Sequence, residues 1–137
     1  MRIHEMTTAQ FERRFPDEEA CALYLIKCRW PRRARCPRCT APARRVATMK
    51  FKWECYNCRH GNGYRFSHVA GTVFEHSNKP LRDWFRVLHM MATSETPISA
   101  LAVNRIMGFG SYRTALRMCR CLRKELDGTG FSLETNI

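Results

Sequence analysis

The chain has 137 residues, enough for one compact domain or two very small ones and too few for a large enzyme core beside a separate binding module. Hydrophobic residues make up 45%, which excludes a disordered polar chain, and no run of about 18 apolar residues exists to span a membrane. Lys and Arg number 24 against 12 Asp and Glu, a formal charge of +12 that points to a polyanionic partner.

The opening residues, MRIHEMTTAQ, lack the apolar stretch of a secretory signal, so a cytoplasmic protein is expected. Residues 7–14 read as a short helix capped by Thr7 or Thr8. Pro16 is expected to open a second helix with acids in its first turn, where the helix dipole favours them. Ala20, Leu23, Tyr24 and Ile26 or Lys27 form its expected apolar face, and Trp30-Pro31 ends it. Cys21 and Cys28, seven apart, are read as core.

The positive charge is concentrated in the middle of the chain. Residues 27–65 hold 12 basic side chains against Glu54 alone, while residues 1–26 are net −2 and residues 66–137 net +3. Pro31, Pro37, Pro42, Gly61 and Gly63 exclude a single basic membrane helix there.

Within this block lie Cys36-x2-Cys39 and Cys55-x2-Cys58. A two-residue gap lets a tight turn aim both sulfurs at one ion, and two such knuckles supply a tetrahedral site. Without an export signal, disulfides are not the expected use of these cysteines. Zinc suits the set better than iron, although four sulfurs accept either metal. With every ligand position taken by sulfur, no water can bind, so one structural Zn2+ is expected. Cys119 and Cys121 point opposite ways on a helix and cannot share a metal. The five histidines, His4, His60, His68, His76 and His89, show no ligand spacing.

Residues 44–47, 51–54 and 64–68 read as three short antiparallel strands, which with the knuckles make a zinc ribbon. Phe51, Trp53, Tyr56, Tyr64 and Phe66 alternate with Lys50, Lys52, Arg59 and Arg65. Such interleaving can stack nucleic-acid bases. The plainer reading, that the aromatics build a small core and the basic side chains face water, is favoured.

From residue 79 the apolar period becomes 3.6. Leu81, Trp84, Phe85, Leu88 and Met91 line a helix starting near Pro80, which Thr96-Pro97 interrupts. Ile98, Leu101, Ala102 and Ile106 mark a second helix ending at Gly108, and Ser111 is a good cap for a third. In that third helix Arg113, Arg117, Arg120 and Lys124 recur at i, i+4, i+7 and i+11, nearly opposite Ala115, Cys119, Leu122 and Leu126. A cationic row about 16 Å long at 1.5 Å per residue suits a recognition helix in a major groove. Tyr112, Arg113, Thr114 and Arg117 are expected at base edges, with Arg120 and Lys124 at phosphates. Arg44, Arg45, Lys50, Lys52, Arg59 and Arg65 are the expected contacts from the ribbon.

The order of these pieces resembles the N-terminal region of bacterial insertion-sequence transposases, in which a zinc ribbon precedes a DDE-type nuclease domain. The matching stretches are FPDEEAC (15–21), RWP (29–31), CPRC (36–39), CYNC (55–58), FSHVAGTVFE (66–75), PLRDWF (80–85), ISAL (98–101) and TALRMCRCLRKEL (114–126). The resemblance implies Cys36, Cys39, Cys55 and Cys58 as metal ligands, double-stranded DNA at mobile-element terminal repeats as partner, and a bacterial or phage, nucleoid-associated protein. It also implies a nuclease domain whose carboxylates hold two magnesium ions. In the tail, 130–137, Glu134 stands where a first carboxylate would be, but one Glu is not a two-metal site.

The expected fold is α+β, organised as an N-terminal helical segment (1–30), the ribbon (31–76), a three-helix helix-turn-helix unit (77–127) and a tail (128–137). The expected function is non-catalytic DNA binding, alone or with a homodimer partner. One alternative is a fragment or subunit of an active transposase completed by a separate catalytic chain. Another is an adaptor whose basic surface binds an acidic protein or RNA. No catalytic residue is assigned: the acids are scattered, Gly61-x-Gly63 lacks a following helix, and Cys21 and Cys119 lie in apolar faces where a thiol is inert.

Overall fold

A computed structural model describes residues 3–58 and 64–126; Arg59, His60, Gly61, Gly63 and the tail with Glu134 lie outside the described residues. Among those described, five α-helices and a three-stranded antiparallel sheet are present: α1 (Thr8–Arg14), α2 (Glu18–Arg29), β1 (Arg44–Arg45), β2 (Lys52–Cys55), β3 (Tyr64–Ser67), α3 (Leu81–Thr93), α4 (Ala100–Met107) and α5 (Tyr112–Leu126). The chain divides into two units, Met1–Cys21 with Ser77–Ile137, and Ala22–His76. Residues 3–21 therefore group with the C-terminal helices, whereas the sequence suggested a separate 1–30 segment.

The reason is visible in the helical unit's core. Phe11 and Phe15 are buried, with Phe11 stacked on His89 at 4.9 Å and Phe15 meeting the edge of Phe85 at 5.3 Å. His89 Nε2 is 2.8 Å from the Met6 carbonyl, so the polar ring in this layer has a partner. The Glu12 carboxylate accepts from Arg86 and Arg82 at 2.5 Å each, and Arg82 Nε donates to the Phe15 carbonyl at 2.8 Å. Apolar rings and a carboxylate–guanidinium clasp thus tie the N-terminal arm to α3.

Local caps set the helix ends. Thr7 caps α1 in a reciprocal box with Gln10. Asp17 Oδ1 accepts from Ala20 N at 2.9 Å, so α2 starts at Glu18 and not at Pro16: an aspartate side chain can satisfy a free amide, which a proline ring cannot. Its expected apolar face is also displaced. Cys21, Ala22 and Leu25 are buried, while Leu23 is 52% exposed. The unit boundary falls inside this helix, so no single stripe serves it.

Helices α3, α4 and α5 bury Leu81, Trp84, Phe85, Leu88, Val103, Ala115, Met118, Cys119 and Leu122 together with Val87. Gly108, at φ +69°, closes α4 in the left-handed conformation, and its N–H bonds the Asn104 carbonyl at 2.9 Å. The inner face of α4 is Ala100 and Val103; Leu101 and Ile106, expected to face inward, are 47% and 64% exposed. In an eight-residue helix reading ALAVNRIM, apolar side chains surround the axis, so the pattern alone does not mark the buried side.

In the ribbon unit, β2 is central: Trp53 pairs with Arg45 and Phe66, and Glu54 pairs with Arg44 and Arg65. Alternation puts Trp53, Cys55 and Phe66 inward. Trp53 and Phe66 are buried with Ala43 and Ala70, and Trp30 meets the edge of Trp53 at 5.1 Å. The aromatics expected to build a core do so here, whereas Tyr56 is 62% exposed. Gly71 explains the AGTVFE stretch: at φ +78° a side chain is strained, and a Cβ there would lie 3.2 Å from Pro37 Cβ in the first knuckle. Glu75 Oε2 accepts from the Gly71 N–H at 2.8 Å and holds the turn.

Candidate metal centre and basic surfaces

The first knuckle is built on backbone geometry. Ala34 and Ala41 carbonyls accept from Ala43 and Cys36 N–H at 2.9 Å, and Thr40 N–H bonds the Cys36 carbonyl at 2.9 Å. The turn requires φ +63° at Thr40, a conformation seldom taken by a β-branched residue, with the hydroxyl bonded to the Cys39 carbonyl at 2.6 Å. Arg38 N–H points at Cys36 Sγ, 3.4 Å away. The second knuckle grows from the end of β2, whose last residue is Cys55.

Together the knuckles bring the sulfurs of Cys36, Cys39, Cys55 and Cys58 within 4.8 Å of one another. Cys36 and Cys58 sulfurs are 3.6 Å apart, and those of Cys39 and Cys55 are 3.5 Å apart. Zinc–sulfur bonds of about 2.3 Å at tetrahedral angles require sulfur separations of about 3.8 Å. The donor set therefore fits zinc. The thiols' own chemistry agrees. Hydrogen bonds from the Asn57 side chain and the Ala41 backbone hold Cys39 down to about 6, while the neighbouring Cys39 thiol and burial push Cys58 up to about 12.

Among the described residues, this is the one group of three or more His, Cys, Asp or Glu side chains able to hold a metal. No described histidine joins it. Two of the remaining cysteines, Cys21 and Cys119, are buried apolar groups: burial pushes Cys21 up to about 12 and also raises Cys119, whereas Cys28 and Cys121 are half-buried.

The residues expected to meet DNA divide between the two units. On α5, Arg113, Arg117 and Arg120 are exposed, as are Tyr112 and Lys124, while Thr114 is half-buried. Ala115, Met118, Cys119 and Leu122 occupy the opposite, buried side. The cationic row is thus a solvent face, and Arg123, outside it, donates to the Ile98 carbonyl at 3.2 Å.

In the ribbon, Arg44, Arg45, Lys50 and Arg65 are exposed and Lys52 is half-buried. Arg65 is not a bare cation: Glu54 Oε1 lies 3.5 Å from its Nε, and the other Glu54 oxygen accepts from the Tyr56 hydroxyl at 2.9 Å. Arg45 and Lys50 lie over the Phe51 ring at 5.9 and 5.3 Å. Arg38, not singled out from the sequence, stacks on Tyr64 at 3.9 Å. Lys79 was missed as well; its place before Pro80 and two residues after Ser77 is the only signal, and nothing in the spacing links it to α5.

Residues 16–61 match the model of a family described as a transposase zinc-ribbon domain. No curated protein and no solved structure matches the chain. The match contains all four cysteines, so this stretch is similar to a transposase zinc ribbon, and its clustered thiols supply a single zinc-binding site.

Proposed function

We propose that the protein is a transposase-related, zinc-stabilised DNA-binding protein that is non-catalytic in the part described. In this reading α4, the turn at Gly108 and α5 act as a helix-turn-helix, with α5 as the recognition helix and the ribbon as a second basic contact. The observation that carries it is the exposed row Arg113, Arg117 and Arg120 on a helix whose other side is fully buried. The match of residues 16–61 to a transposase zinc ribbon supports nucleic acid as the partner over an acidic protein.

Fluorescence anisotropy with labelled duplex DNA, repeated between about 50 and 200 mM salt, tests the reading. Steep loss of affinity with salt, about 10³-fold or more for six phosphate contacts, is expected. Affinity that stays flat across that range transfers the function to the adaptor reading.

A further inference from the structure

Helix α5 shares a cavity with the segment that leads into α3. Ser77, Asn78, Lys79 and Trp84 form one wall, and Thr114, Arg117 and Met118 the other. The cavity measures about 240 Å³, below the ~300–1,000 Å³ typical of sites that enclose a small organic ligand. Its lining contains two cations, Lys79 and Arg117, three neutral hydrogen-bonding side chains and no carboxylate. Of these lining residues, Trp84 and Met118 are buried.

The polar wall is organised. Ser77 Oγ accepts from the Trp84 indole N–H at 2.8 Å and from Lys79 N–H at 3.0 Å, which fixes the loop against α3. The Lys79 ammonium lies 4.7 Å from the centre of the Phe109 ring, in the turn between α4 and α5. That contact ties the lysine to the base of α5. The Ser77 hydroxyl is itself occupied, donating to the Lys79 carbonyl at 3.5 Å, so the groups left for a ligand are two positive charges, the Thr114 hydroxyl and the Asn78 amide, a set that matches a tetrahedral oxyanion.

We infer that this cavity binds a backbone phosphate of the nucleic acid that α5 engages, with Lys79 and Arg117 as its charged contacts. The inference rests on the DNA-binding reading and sharpens it. Arg117 becomes a phosphate-holding residue instead of a reader of base edges, and Lys79 joins the interface from outside the helix. A phosphate held here helps set the register and orientation of α5 on the duplex.

Two measurements on the full chain test it. The first follows the Trp84 indole N–H by nuclear magnetic resonance, identified among the three tryptophans by its loss in Trp84→Phe. Duplex DNA at saturation should shift this signal in the wild type and shift it less in Lys79→Gln, where Arg117 is the one charged contact left. The second is the salt dependence of binding. Lys79→Gln should lower affinity about tenfold on a selected and on a scrambled duplex alike, and reduce the log–log salt slope by about 0.9. Binding with an unchanged slope and an unmoved Trp84 signal overturns the inference. So does Arg117→Gln if it weakens only the selected duplex, since that marks a base reader. A shift with inorganic phosphate but none with DNA assigns the cavity to free phosphate and also overturns it. Should no duplex bind even at about 50 mM salt, the DNA-binding reading itself falls. Inorganic phosphate then decides the cavity by itself, and an unmoved Trp84 signal rules out an oxyanion there.

Discussion

Glu18 caps a helix to which it does not belong: its Oε1 accepts from the Arg82 main-chain N–H, at the start of α3, at 3.1 Å. Pro80, the N-cap of that helix, offers no side-chain acceptor, so the free amide is satisfied from the beginning of α2 instead. Arg82 repeats the link with its side chain, reaching Glu12 and the Phe15 carbonyl.

This clasp makes stability sensitive to acid. The Arg86 hydrogen bond, aided by the charges of Arg86 and Arg82, holds the Glu12 carboxyl below its ordinary value of 4.5. A lowered native value means the contribution is complete above about pH 4.5 and is lost as pH falls through the native value. Denaturant melts across about pH 3–7 should show this loss in the wild type and a shallower one in Glu12→Gln. Because Glu12 is partly exposed, the substitution should cost only about 1 kcal/mol at neutral pH.

Removing zinc should unfold the ribbon and spare α3 to α5. The metal organises residues whose buried apolar core is small, whereas the helical unit has its own. After chelation, chymotrypsin should cut at Trp53 and Phe66 while most of the helical circular dichroism survives. An intact, protease-resistant ribbon without metal would contradict the structural role of the site.

Glu125 should be replaceable with profit. It is only 9% exposed, its Oε2 has no hydrogen-bond partner among the described residues, and burial raises its carboxyl above the ordinary 4.5. A raised native value favours the neutral acid, so its contribution is best below about pH 4.5 and declines as pH rises through the native value. Glu125→Leu should therefore stabilise the protein by about 1–2 kcal/mol at neutral pH and less near pH ~4, read from urea unfolding.

On the proposed reading of α5 as a recognition helix, Arg113→Ala should cost about 1–3 kcal/mol of binding and relax sequence preference, the result expected of an arginine paired bidentately with guanine. Competition between duplexes selected from a random pool and scrambled ones checks it. Equal losses on both would make Arg113 a phosphate contact.

The four-thiol site was legible because two short gaps in chain position dictate where sulfurs can meet, whatever the rest of the fold does. The buried stripe of α5 was legible for a similar reason: over 15 residues only one face can satisfy Ala115, Cys119 and Leu122 together. Helix α4 defeated the same logic, since eight residues with apolar groups on every side do not name their inner face. The N-terminal arm was misplaced because its partners lie far along the chain. His89 and Met6 are 83 residues apart, and no local pattern announces such a pair. The cavity at Lys79 and Arg117 belongs to the same class, being made by packing and not by spacing.

The helical unit is discontinuous, and this orders its assembly on the ribosome. Its first piece, through Cys21, emerges before the ribbon, and the rest only after it. Phe11 and Phe15 must stay uncovered in the nascent polypeptide until Phe85 and His89 have been made. The ribbon is the first part able to close, given metal. A closed ribbon shortens the loop that the arm must later bridge, though each halving of such a loop is worth only about 0.6 kcal/mol. Zinc scarcity during translation would thus leave the finished helical fold almost as stable while prolonging the interval in which two phenylalanine rings invite aggregation.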